Sequence, residues 1–136
     1  MTATAVTALS LDPPSVLVSL HRDRTLYPQL REIGRRFNVV LLDSRHAGLC
    51  GRFAGGAPQS ERFRGDAWQD DADGVPVLEG AAAFACRVEA RLEYGTHGVA
   101  AARVLEVCLA SGGAPLAYAE GGLHRLVPLD AALLSS

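Results

Sequence analysis

The chain has 136 residues, a formal net charge of −2 and a hydrophobic content of 49%, enough for one sizeable core and too short for two domains. The near balance of charge excludes a broad electrostatic footprint for nucleic acid or an anionic membrane. All 13 basic residues are arginine, and the 3 cysteines (Cys50, Cys86 and Cys108) are far apart with no C-x-x-C pair, which argues against a disulfide framework or a zinc site. No apolar run reaches the roughly 18 residues of a membrane span, and Met1 is not followed by a basic leader with an apolar segment. The expectation is a single cytoplasmic domain over 1–136, with no metal site, no nucleic-acid partner and no membrane.

Residues 1–20 read as two strand-like runs joined at Asp12-Pro13-Pro14. Thr2, Thr4 and Thr7 interleave with Ala3, Ala5 and Val6, and Val16, Leu17, Val18 and Leu20 form an apolar run. β-branched and small residues at this density favour a pleated strand, and the double proline stops pairing between the runs. Such a strand serves equally as plain core or as a place where backbone N–H groups approach a flat ligand.

A polar turn follows, His21-Arg22-Asp23-Arg24-Thr25. Leu26, Leu30, Ile33 and Phe37 then recur at helical spacing, which predicts an amphipathic helix with Thr25 as its N-cap, Pro28 in its first turn and Gly34 at its end. Two guanidinium groups and a hydroxyl at a helix start suit a phosphate; the same residues also suit an ordinary charged surface turn. A short strand is expected over 38–42. Asp43-Ser44 caps a second helix over 45–53, carrying His46, Leu49, Cys50 and Phe53. Residues 54–74 read as an irregular loop anchored by Phe63 and Trp68, with Asp66, Asp70, Asp71 and Asp73 as a solvated acidic cluster.

From residue 75 the chain reads as β. Phe84, Cys86, Val88, Ala90 and Leu92 alternate with Ala85, Arg87, Glu89, Arg91 and Glu93, predicting a strand with one buried face. A turn at 94–98 precedes a strand over 99–109, and glycine turns separate shorter strands at 115–119 and 123–126 from an apolar tail. Strand after strand with short turns predicts a closed or nearly closed antiparallel barrel decorated by short helices. The cysteines read as core or near-core residues, and His21 and His46 as structural. His97 lies in a glycine-flanked turn, where an imidazole serves either as a donor that steadies charge near neutral pH or as an ordinary loop histidine with water partners.

Placed in order, these motifs resemble the flavin reductase family, the FMN-binding split β-barrel. The family's M-T-A-S-A-F-T-S-V-S-L-D-P-P-L-V-L-V is matched over residues 1–18. A basic turn with a Thr is matched by Arg22-Asp23-Arg24-Thr25, and R-F-A-G by Arg52-Phe53-Ala54-Gly55. The family's G-x-P-x-L-x-G is met by Gly74, Pro76, Leu78 and Gly80, its C-R-V strand by Cys86-Arg87-Val88, and its G-D-H turn by Gly95-Thr96-His97. The P-L-x-Y and G-x-Y/H ending corresponds to Pro115-Leu116-Ala117-Tyr118 and Gly122-Leu123-His124. Ala8 stands where the family has Ser, and Thr96 where it has Asp, each losing a polar contact. The chain begins within the family's first hairpin, so a dimer partner is expected to cover the edge.

The resemblance implies a mainly β fold, a split antiparallel β-barrel with two or three short helices. It also implies an NAD(P)H-dependent flavin reductase that moves a hydride from NADH or NADPH to FMN (or FAD) and supplies reduced flavin to a two-component monooxygenase as a homodimer. By resemblance, Thr4, Ala5, Val6 and Thr7 form the wall for the isoalloxazine, and Arg22, Arg24 and Thr25 hold the phosphate. His97 lies near the nicotinamide as the catalytic residue, and His124 contacts the cofactor. The alternatives are a flavin-fold protein that binds without reducing, or a barrel repurposed for non-redox chemistry on a small molecule.

Overall fold

A computed structural model describes residues 5–65 and 67–134; Thr4 and Asp66 lie outside the described residues. The core is a five-stranded antiparallel sheet in the order β1-β2-β7-β6-β3. Its strands are β1 (Val6–Leu11), β2 (Pro14–His21), β3 (Arg36–Leu41), β6 (Ala82–Tyr94) and β7 (His97–Cys108). Two small hairpins complete the β structure: β4 (Trp68–Asp70) with β5 (Pro76–Leu78), and β8 (Leu116–Ala119) with β9 (Gly122–Arg125). No described strand joins β1 to β3, so the barrel stays open, as a split barrel does. Among the described residues, three α-helices of four or five residues decorate it: α1 (Tyr27–Leu30), α2 (Ala47–Gly51) and α3 (Ala131–Leu134). None is long and apolar enough to cross a membrane.

β2 reads as expected, because alternation in its sequence becomes alternation in burial: Val16, Val18 and Leu20 point inward and join Tyr27, Leu30, Phe37, Cys86, Val88, Ala100 and Ala102 in the core. The alanines of β7, Ala100 and Ala102, let the neighbouring core side chains pack closely over that strand. Cys86 has no exposed surface, and burial pushes its thiol up to about 11, which makes it an inert core residue. Cys50 is half-buried, and Cys108 is exposed, against the expectation that all three cysteines lie in or near the core.

Several elements depart from their sequence patterns for identifiable reasons. The helix expected over the stripe Leu26, Leu30, Ile33 and Phe37 is a single turn: Ile33 is exposed, and Phe37 belongs to β3, where pairing with Cys86 overrides helical spacing. Thr25 does not cap it; Leu26 occupies that position without a side-chain cap. Gly34 ends the segment with φ +88°, as its position predicted. The helix expected over 45–53 divides into a 3-10 turn (Ser44–His46), α2 and a wide π turn (Arg52–Gly56). Asp43 does cap it, accepting from the Arg45 N–H, while His46 reaches back to the Asp43 N–H.

On β6 the predicted inward face does not run through. Register shifts fall between Ala85 and Cys86 and between Val88 and Ala90. The first leaves its extra residue, Leu105, on β7, so Phe84, Cys86 and Val88 keep the predicted inward face. The second leaves Glu89 as the extra residue of β6 and reverses which residues face the core beyond it, so Ala90 and Leu92 are exposed. The acidic segment is not merely solvated. Asp71 accepts from Arg36 (2.7 Å), Asn38 (3.0 Å) and the Val75 and Asp73 N–H groups, and Asp73 also grips Arg36 (2.9 Å). Burial opposes ionisation of Asp71, but these hydrogen bonds and the Arg36 charge together hold its carboxyl below the ordinary range. The result ties the β4–β5 hairpin to β3. Trp68 and Phe63 act as anchors, stacking edge to face at 4.9 Å beside Phe53.

Candidate functional site

Cross-strand pairing decides which candidates meet. His21 of β2 pairs with His97 of β7, which pairs with Tyr94 of β6, so three strands end in one row. The next row carries Leu20, Gly98 and Glu93; two rows further lie Val6, Val18, Ala100 and Arg91. The turn containing Arg22, Arg24 and Thr25 leaves from the first row and is pinned there by the Arg22 N–H donating to the Thr96 carbonyl at 3.0 Å. Val6 therefore lies about 10 Å along the strands from His97, at ~3.3 Å per residue. Ala5, whose carbonyl accepts from the Ser19 N–H, is closer still.

The structure thus places Ala5, Val6, Thr7, Arg22, Arg24, Thr25 and His97 at one end of the sheet. Ala5 and Thr7 are exposed, while Val6 packs on the core. β1 is the edge strand of its sheet, and alternate residues of an edge strand point their N–H groups outward. Small side chains there leave that backbone accessible to a flat ring.

The basic turn uses most of its own backbone donors. The Asp23 N–H goes to His21 Nδ1 (3.1 Å), and the Arg24 and Tyr27 N–H groups go to the carbonyls of His21 and Arg24. Because α1 is one turn long, its dipole adds little. What remains for an anion is side-chain chemistry: exposed Arg22, Arg24 and the Thr25 hydroxyl. Arg24 has no ion-pair partner among the described residues, and Arg22 has only a loose one, 3.8 Å from Glu93.

His97 is held on two sides. Its Nδ1 lies 2.8 Å from the Thr96 hydroxyl, and its ring meets the His21 ring edge-on at 5.3 Å between centroids. Thr96, which stands where the family has Asp, supplies a polar contact to its neighbour His97. With Nδ1 engaged, Nε2 is the nitrogen available to a ligand. His124 is elsewhere. Its hairpin is rooted where Leu116 N–H donates to the Leu42 carbonyl and Pro115 bridges Asp43, at the far end of β7; its Nε2 is 3.0 Å from the Ala119 carbonyl. The chain alone does not bring His124 to the other candidates.

Sequence reasoning passed over the group that organises the charge here. Tyr27 Oη donates to Glu93 Oε1 at 2.9 Å, Arg31 Nε donates to the same oxygen at 2.9 Å, and the Arg31 guanidinium lies 5.6 Å from the Tyr27 ring centroid. Burial and the Glu93 bond raise the Tyr27 pKa, whereas the Tyr27 bond and the charges of Arg31, Arg22 and Arg91 lower that of Glu93. Gly98 belongs to the same cluster, since a Cβ there would overlap the Tyr27 ring. The signal was available in the hairpin register: a two-residue turn at Gly95-Thr96 puts Glu93 opposite Gly98, where nothing shields it from the preceding layer.

The fold that carries this strand end is shared with known proteins. Residues 1–127 match the family described as flavin reductase like domain. The chain belongs to that family. It is 41% identical over 129 residues to an FMN reductase (NADH), RutF 2, of Methylorubrum extorquens, covering 94% of this chain and 74% of the relative. It is 40% identical over 119 residues to the reductase component of an FADH(2)-dependent resorcinol hydroxylase of Rhizobium sp., covering 87% and 66% of the two chains. Among solved structures, the flavin reductase of the styrene monooxygenase of Pseudomonas putida S12 superposes with a TM-score of 0.80 at 33% identity, covering 95% of this chain and 82% of that one.

Proposed function

We infer that this flavin reductase family member, over residues 1–136, is an NAD(P)H-dependent flavin reductase. It takes FMN, with FAD as the alternative, and supplies reduced flavin to a separate monooxygenase in the cytoplasm. The observation that carries the reading is the convergence of Arg22, Arg24, Thr25 and His97 on the row of strand ends beside the small-residue edge strand β1. A flavin mononucleotide needs those two things together, a flat wall for the ring and cations for the phosphate.

The residues fit such a molecule. Ala5, Val6 and Thr7 would lie along the ring, and Arg22, Arg24 and Thr25 would hold the phosphate. When bound, the flavin supplies the redox chemistry, accepting a hydride from the reduced nicotinamide. His97, oriented through Thr96, would donate from Nε2 to the nicotinamide or the ring. His124 enters this site only if the hairpin of a second copy reaches across. A homodimer is supported by the exposed apolar residues Leu123, Leu126, Val127, Leu129, Leu133 and Leu134 near the C-terminus, which a second copy would cover.

The test is NADH or NADPH oxidation by purified protein with FMN or FAD, followed by loss of nicotinamide absorbance, with mass in solution measured in parallel. Flavin-dependent oxidation is expected. Tight FMN binding with no oxidation would select the binding-protein alternative, and inactivity with every pairing and no flavin binding would overturn the reading.

A further inference from the structure

We propose that Glu93 is a resident counter-charge of the phosphate turn: it holds Arg22 and Arg31 in place of a phosphate and thereby weakens the grip on phosphorylated flavin. The proposal rests on the flavin reading of Arg22 and Arg24 given above. It concerns a residue that the reading itself does not need.

The geometry separates the two oxygens of Glu93. Oε1 is committed, accepting from Tyr27 Oη and Arg31 Nε, both at 2.9 Å. Oε2 faces Arg22 Nη2 at 3.8 Å, too far for a hydrogen bond and close enough for charge attraction. Tyr27 is itself fixed by burial and by Gly98 against its ring. The carboxylate is therefore held from below by a rigid donor and presented to the basic turn from above.

Arg22 is 47% exposed and Glu93 39% exposed in their side chains, so their mutual attraction is worth a fraction of a kcal/mol to about 1 kcal/mol. An arriving phosphate monoester, with a charge of about −1.5 to −2 at neutral pH, outcompetes a single carboxylate for Arg22. It must still sit near the negative charge of Glu93. A reductase that hands its flavin to another enzyme has to release it, and a fixed like charge beside the phosphate site favours release. Glu93 acts here as a positioning and affinity-setting residue; it touches neither the ring nor the reacting atoms.

The experiment compares FMN with riboflavin, which has the same ring and no phosphate, on wild-type protein and on Glu93→Gln. The amide oxygen still accepts from Tyr27, so the fold is kept while the charge is removed. The expected result is FMN affinity raised about three- to fivefold with riboflavin affinity unchanged, and a difference that shrinks in 0.5 M salt. Equal changes for FMN and riboflavin, no change for either, weaker FMN binding, or a gain that persists in high salt would overturn the proposal while leaving the flavin reading intact. Wild-type protein that binds neither flavin would overturn both.

Discussion

The two ends of the long β6–β7 hairpin are each closed by arginine and carboxylate, yet the two pairings are built differently. At the end near the chain's later loops, Asp43 is 5% exposed and is gripped by Arg45 through both oxygens, at 3.0 and 2.7 Å. The same guanidinium reaches the carbonyls of Gly80 and Gly112 at 3.2 and 3.0 Å. At the other end, three arginines act on Glu93 in the open, and Arg22 is barely held. A carboxylate whose partners are all within the protein fastens loops to one another. Arginines left underneutralised at an open strand end remain available to an anion from outside.

The largest effect is expected where the charge is buried. Asp43→Ala removes the acceptor for Arg45 and the cap of the following turn, and should cost about 2–4 kcal/mol of stability, read as a lowered denaturant midpoint. Gly113→Ala should act at the same place by a different route, since its φ is +79° and a Cβ would strike the Asp43 carboxyl group. A midpoint unchanged in both variants would mean that the loops are held without this bridge.

Part of this contrast was legible in the sequence. Asp43-Ser44 announces a cap, and a cap is a local feature decided by neighbours in the chain. The grouping of Arg22, Arg24, Thr25 and His97 came from matching a family pattern, and the structure gives it a physical basis in the pairing of His21 with His97. Long-range partners were not legible. Nothing in the local pattern tells that Arg45 crosses to Gly80 and Gly112, that Asp71 holds Arg36, or that Glu93 faces Tyr27, because each joins segments over thirty residues apart. The alternation on β6 failed for a related reason, since bulges are set by the partner strand as much as by the strand itself.

Acid should expose the buried end next. Hydrogen bonding from Arg45 holds the Asp43 carboxyl at about 2, below its ordinary 3.8. A carboxylate with a depressed pKa stabilises the fold fully above the ordinary value, and that stabilisation is lost as pH falls from about 3.8 through about 2. Asp43→Asn should therefore be less stable than wild type at pH 7, and the gap should narrow over that acid window. A gap that stays constant from pH 7 to pH 2 would show that the charge of Asp43 contributes nothing.

The smallest stability effect belongs to the open end, and its smallness is what makes it diagnostic. Arg22 is exposed, and its one ion pair with Glu93 is long, so Arg22→Ala should shift stability by no more than about 0.5 kcal/mol. On the proposed reading the same change removes a phosphate contact, and FMN binding should weaken roughly tenfold or more while riboflavin binding holds. Thermal melting and flavin titration on one preparation check both halves. If Arg22→Ala instead melts well below wild type and leaves FMN affinity intact, then Arg22 is a structural member of its end of the sheet, like Arg45 at the other, and the division of labour between the two ends fails.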